Sequence, residues 1–205
     1  RTGALAFEAG ARVVNHCRSL EEGGGRGGQI RAGIEAAKGD LVAVVHADTL
    51  VESPIFTTMC RVLENQPGLA GGAVGSVFES RDRRLGLINM ANDFRMVFLG
   101  ISFGDQVQFF RRRPVTSARL FPNIPLMEDV EFGIRLHGLG PQVFLFGNAK
   151  VSARRWEIRG LSNSVSVVGR VASYLVKRLW GTPDTRAMYQ SYYGKHTSRL
   201  TKEEK

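Results

Sequence analysis

The sequence predicts an α/β sandwich built on a mostly parallel sheet. Three observations lead there. The run Leu41-Val42-Ala43-Val44-Val45 is apolar without alternation, as in a strand covered on both faces. Strand-like and helix-like stretches alternate through the first half of the chain, the order that winds helices onto a parallel sheet. And 205 residues, 43% hydrophobic and 23% charged, are enough to bury one core and are not the composition of a disordered chain.

Each element has its own signal. Residues 1–9 read as a short helix stopped by Gly10, and Ala11-Arg12-Val13-Val14 as a short strand. Glu21 to Gly28 is a glycine-rich turn, and Gln29–Lys38 is helical through Ile30, Ile34 and Ala37, with Gly39 beyond its end. Ser53-Pro54 marks a helix start, Ser as N-cap and Pro at the first helical position, running to about Asn65 before Pro67-Gly68. Gly72–Ser80 is strand-like, Leu85–Leu99 a long apolar helix, and Val107–Arg111 another strand. Phe121–Pro125 must be a loop, Glu128–Leu139 a helix, and Gln142–Phe146 and Ala149–Ala153 two closing strands. Further on, Val165, Val168, Ala172, Leu175, Val176 and Leu179 repeat at helical spacing, with Arg170, Lys177 and Arg178 off that stripe. That helix either packs on the domain or lays a basic amphipathic surface against a membrane. The expected organisation is a domain over 1–160, a helical extension of it over 161–195 and a loose tail over 196–205.

The net charge of +9 favours acidic partners. The arginines are scattered and not interleaved with aromatic residues, which argues against nucleic acid. Cys17 and Cys60 form no CxxC and no zinc spacing, the pattern of reduced thiols in a cytoplasmic protein. No apolar run reaches the ~18 residues of a membrane span. The chain opens Arg1-Thr2-Gly3 with no Met and no signal peptide, so a piece of a longer protein is expected.

Three stretches carry chemistry. The buried run at Leu41–Val45 ends in His46-Ala47-Asp48-Thr49, where an open α/β sheet binds its ligands. Side chains two residues apart along a strand point the same way, so His46 and Asp48 can share a divalent ion; the plainer alternative is Asp48 as a helix cap. Glu128-Asp129-Val130-Glu131 opens a helix with carboxylates. These either complement the helix dipole, with Asp129 as an N-cap, or include a general base set against Phe121, Leu126 and Phe132. Gly23-Gly24-Gly25-Arg26-Gly27-Gly28-Gln29 runs into a helix N-terminus that suits a diphosphate, although taken alone the glycines read as a flexible loop.

Taken together, "GRGGQIRAGIEAAKGDLVAVVHADT", "GDQVQFFRRR", "FPNIPLMEDVEFGIRL" and "SARRWEIRG" resemble family 2 glycosyltransferases of the GT-A fold, in the subgroup whose metal motif reads His-Ala-Asp-Thr. The resemblance runs from about residue 1 to residue 193 and includes "LWGTPDTRAMY". It implies a GT-A-like αβα sandwich with a mostly parallel mixed sheet, and an inverting, metal-dependent transfer of a sugar from a nucleotide-sugar donor to an acceptor hydroxyl. Asp48 would be the main ligand of Mn²⁺ or Mg²⁺ and His46 a second one. Asp129 would be the catalytic base, with Glu128 shaping its site. Arg26, Gln29, Asp48, Arg154, Arg155 and Trp156 would meet the donor, and Asp105 and Gln106 the acceptor. The acceptor class stays open, with lipid and glycan as candidates, and a peripheral membrane contact goes with the C-terminal helix.

The chain departs from the family at Gly28, usually polar or basic there, and at Arg31, usually Asn. The family's opening strand and Asp-Gly-Gly-Ser turn have no counterpart. By itself the chain is therefore expected to bind donor weakly, or to be inactive. The rival reading is a catalytically silent GT-A module that binds a partner or a membrane surface.

Overall fold

A computed structural model of the chain describes residues 2–16, 25–79, 86, 90, 94, 96–97, 102, 106–152 and 161–193, the side chains of 79, 147–148 and 161–166 excepted. Two helices lead, α1 (Thr2–Glu8) and α2 (Arg26–Ala36). β1 (Leu41–Val44), β2 (Thr49–Val51), α3 (Ser53–Asn65), β3 (Gly71–Glu79) and β4 (Val107–Arg111) follow. The remainder holds α4 (Arg112–Ser117), α5 (Glu128–His137), β5 (Gln142–Ser152), α6 (Leu161–Trp180) and a last helix, α7, over 185–193.

The strands form one sheet in the order β1-β4-β3-β5-β2. Among the described residues only the β3–β5 pairing is parallel; β1–β4, β3–β4 and β2–β5 are antiparallel. The sheet is mixed, as expected, with its parallel pairing at the centre and antiparallel pairings on either side. The early alternation does give co-directional β1 and β3, but β4 runs the other way and inserts between them. Residues 45–48 alone make the step from one edge strand to the other, so the sheet must curl to bring the far end of β5 toward the end of β1. A register shift between Val74 and Ser76 breaks the long β3–β5 ladder where that bend is needed.

Both faces of the sheet are covered, as the unbroken apolar run at 41–45 predicts. Leu41, Ala43, Val107 and Phe109 pack with Ile55, Met59 and Leu63, which repeat every fourth residue along α3. Val42, Val44 and Phe110 face the opposite way, toward Ile34, Phe121, Phe132 and Leu136 of α2, α5 and the loop before α5. Phe132 anchors this second layer, its ring 4.8 Å from Phe110 and 4.7 Å from Phe121.

Several local expectations change. Residues 11–14 form no strand, and β2 was not foreseen. Glu52, not Ser53, caps α3, leaving Pro54 at the second helical position, where its missing N–H costs no hydrogen bond. The two closing strands are the single β5. Most of Leu85–Leu99 lies outside the described residues, and those described within it are helical.

The largest correction concerns α6. The aliphatic stripe, left open between packing on the domain and facing a membrane, divides: Leu175 packs, while Val168, Val176 and Leu179 stand in solvent with Trp180 88% exposed beside them. The face that packs is Val171, Tyr174 and Leu175 with Arg178, against Leu126, Met127 and Val130. The cause is electrostatic. Glu131 is buried on α5, and it takes hydrogen bonds from Tyr174 Oη and Arg178 Nε, each at 2.7 Å, and from Arg135 Nε at 2.8 Å. Leaving a buried carboxylate unpaired costs more than leaving a few aliphatic side chains wet, so the carboxylate sets the rotation of α6. Among the described residues, no helix is long and apolar enough to cross a membrane.

Candidate active site

The loop 121–127 and the start of α2 fit together because of two glycines. Gly25, at the cap of α2, has φ +97, a conformation that side chains resist. At Gly27 a Cβ would lie 2.2 Å from the Ile124 carbonyl oxygen and 2.9 Å from that of Pro122. Only hydrogen fits. The glycine-rich stretch is therefore an element of packing here, and it delivers Arg26 to the acidic start of α5.

Arg26 Nε lies 2.8 Å from Glu128 Oε1, and its other guanidinium end is 4.0 Å from Asp129 Oδ2. The N–H does not aim at the Glu128 oxygen well enough for a hydrogen bond, so both Glu128 oxygens are buried without one. Glu128 is fully enclosed. Burial first, then the Asp129 charge, push its carboxyl up to about 8 against the pull of Arg26. Burial also works against the Arg26 charge, but Glu128, Asp129 and Tyr193 together hold that guanidinium above its ordinary range.

Asp129 is not the N-cap of α5, but its carboxylate still serves the first turn. One oxygen, Oδ1, accepts the Val130 N–H at 2.8 Å, which satisfies a free amide of the first turn. The cap itself is Met127, held at φ +64, a strained conformation for a non-glycine residue and one that clusters at functional sites. The Asp129 carbonyl oxygen accepts a hydrogen bond from Gln108 Nε2 at 3.0 Å, and Gln108 also meets Ser102. Gln108 was missed from sequence. A polar residue centred in the buried strand Val107-Gln108-Phe109-Phe110 was the available signal, since such a group needs a partner.

Gln108 also links the two acidic motifs. It pairs across the sheet with Val44, the last residue of β1. His46 and Asp48 follow directly, so they leave the sheet at the end where Gln108 holds Asp129. The turn carrying them is fixed through its backbone: Thr49 N–H donates to the His46 carbonyl at 3.0 Å, and Ser152 N–H to that of Asp48 at 3.2 Å. His46 is half-buried and Asp48 is exposed. Among the described residues no group of three or more His, Cys, Asp or Glu gathers. A hard carboxylate with one imidazole suits Mn²⁺ or Mg²⁺ that takes its other ligands from phosphate oxygens and water.

The other candidates separate. Gln29 is exposed on α2, and Gln106 is buried just ahead of β4. Asp105, Arg154, Arg155 and Trp156 lie outside the described residues. Glu131, third of the acidic trio, is a structural tie. Burial alone would raise its pKa, but hydrogen bonds from Arg178, Tyr174 and Arg135 outweigh that and lower it. A pocket of about 390 Å³ opens beside it, between Arg135, Tyr174, Arg178 and Thr185, away from Glu128 and Asp129.

No family model and no curated protein matches this chain. Solved structures do. Glucosyl-3-phosphoglycerate synthase from Mycobacterium tuberculosis, in complex with Mn²⁺, UDP-glucose and phosphoglyceric acid, superposes with a TM-score of 0.52 at 19% identity, over 89% of this chain and 66% of that one. The same synthase with Mg²⁺ and UDP gives 0.51 at 20% identity, with the same coverage. This likeness carries the GT-A-like α/β fold. The chain spans just under two thirds of those structures.

Proposed function

We propose that this chain is a glycosyltransferase module that moves a sugar from a nucleotide-sugar donor to an acceptor hydroxyl with inversion. The observation that carries the reading is the buried Glu128 beside a half-buried Asp129, both braced by Arg26, at the end of the sheet where β1 hands over His46 and Asp48. The resemblance of the His-Ala-Asp-Thr stretch to family 2 glycosyltransferases points the same way, as do the UDP and UDP-glucose held by the structural neighbours.

Asp48 is the residue to hold a divalent ion, with His46 beside it. When bound, that ion supplies charge neutralisation on the departing nucleoside diphosphate. Asp129 takes the proton from the acceptor hydroxyl as it attacks the anomeric carbon from the face opposite the leaving group. Glu128, keeping its own proton through neutral pH, places no second negative charge beside that base. Arg26 supports the pair from α2. The structural neighbour's phosphoglyceric acid suggests an acidic acceptor, which the +9 charge of this chain would favour.

The test is hydrolysis of UDP-glucose by the full chain, with and without Mn²⁺. Asp129→Asn should lower turnover by about 10²–10⁴-fold while UDP binding persists. Asp48→Ala should remove the Mn²⁺ dependence. Full rate in Asp129→Asn refutes the base assignment. The exposed α6 stripe, Leu179 at 82% among it, favours a second reading as a silent binding module; UDP binding without turnover under any divalent ion would select it.

A further inference from the structure

The C-terminal helices do more than cover α5. Leu126, Met127 and Val130, which flank the Glu128–Asp129 pair, share one apolar cluster with Val171 and Tyr174 of α6 and with Met188, Tyr189, Tyr192 and Tyr193 of α7. Within α7 the rings are locked together: Tyr193 lies 4.6 Å from Tyr189 and 4.7 Å from Tyr192, and Arg170 of α6 stands 4.7 Å over the Tyr192 ring. This fixes the last turn of α7 near the start of α2. There the Arg26 guanidinium meets the Tyr193 hydroxyl in a hydrogen bond. Arg26 is thus held from two sides, by the α5 carboxyls and by a phenol far along the chain.

We propose that Tyr193 is a positioning residue: its hydroxyl holds the Arg26 guanidinium against Glu128 and Asp129, which makes α7 a working part of the site. The assignment rests on reading that acidic pair as the reacting end, but its test requires no turnover. An arginine has a long side chain that must lose its rotamer freedom to sit 2.8 Å from a buried carboxyl. The phenol gives the same guanidinium a second partner beside the Glu128 carboxyl, which narrows the positions the side chain can take. The charged and titratable groups on Glu128 are Arg26 from α2 and Asp129 from its own helix, and Tyr193 reaches it through Arg26.

The experiment is a carbon-13 NMR titration of the Glu128 carboxyl in the full chain, with Glu128→Gln providing the assignment. In Tyr193→Phe the ring stays against Tyr189 and Tyr192 and only the hydroxyl goes. Arg26 then loosens and its pull on Glu128 weakens, so the midpoint should move upward by about half a pH unit or more. In an Arg26→Gln background the same change should add nothing, because its route is gone. Tyr192→Phe, on the same helix and in the same cluster, should leave the midpoint in place. An unmoved midpoint in Tyr193→Phe overturns the proposal. So does an equal shift in the Arg26→Gln background, or in Tyr192→Phe, which would mean that α7 acts by general packing. Absence of nucleotide-sugar hydrolysis would count against the proposed function and leave these outcomes readable.

Discussion

Glu128 is the residue at which fold stability and chemistry meet. Its carboxyl is pushed up to about 8 in the folded chain and returns to the ordinary carboxylate range when the chain unfolds. Between those values the folded state binds more protons than the unfolded one, so stability falls as pH rises across that window. Thermal unfolding followed from about pH 5 to pH 9 should show this decline, and Glu128→Gln should flatten it. A stability that climbs through the same range, unchanged by Glu128→Gln, would contradict a raised Glu128 carboxyl. At this scale the sequence was informative about residue type and less so about role. Glu128, Asp129, Glu131 and Asp48 all stood out as carboxylates, yet nothing local separates Glu128, enclosed with poorly aimed partners, from Glu131, enclosed with three good ones. That difference is made by Arg26 and Arg178, which arrive from other elements.

At the scale of elements, the two close approaches around α5 set the site. The first is α2 against the loop 121–127 through Gly27. A methyl group there would meet backbone that cannot swing aside. Gly27→Ala should therefore cost roughly 1–3 kcal/mol in chemical denaturation and displace Arg26 from Glu128; an unchanged midpoint would mean that the two segments are not in contact. The second is α6 on α5 through Glu131. Glu131→Gln should cost roughly 2–3 kcal/mol, since it weakens three charge-assisted hydrogen bonds whose arginines are partly open to solvent. Loss of only a few tenths would assign the helix pairing to apolar contact alone. Element boundaries were mostly legible: β4 matches residue for residue, and β1, α3 and α5 to within a residue or two. The rotation of α6 was not. Its aliphatic periodicity pointed one way and a carboxylate on another helix turned it the other.

For the whole molecule, co-direction of β1, β3 and β5 was readable from the alternation of elements, but strand neighbours were not. Insertion of an antiparallel β4, and the curl that links two edge strands through residues 45–48, depend on contacts distant in sequence. Yet that topology is what joins the motifs. β1 ends beside Gln108, Gln108 holds Asp129, and the His46–Asp48 turn departs from the same place. The account stands on Asp48 and Asp129 serving one bound nucleotide sugar. Paramagnetic broadening tests this most directly: Mn²⁺ and UDP are added to the chain carrying carbon-13 at its Asp and Glu carboxyls. The carboxyl signals of Asp48 and Asp129 should broaden together on adding Mn²⁺ with UDP, while that of Glu35, exposed on α2 and paired with Arg31, broadens far less. Broadening at Asp48 with Asp129 left sharp would contradict the account.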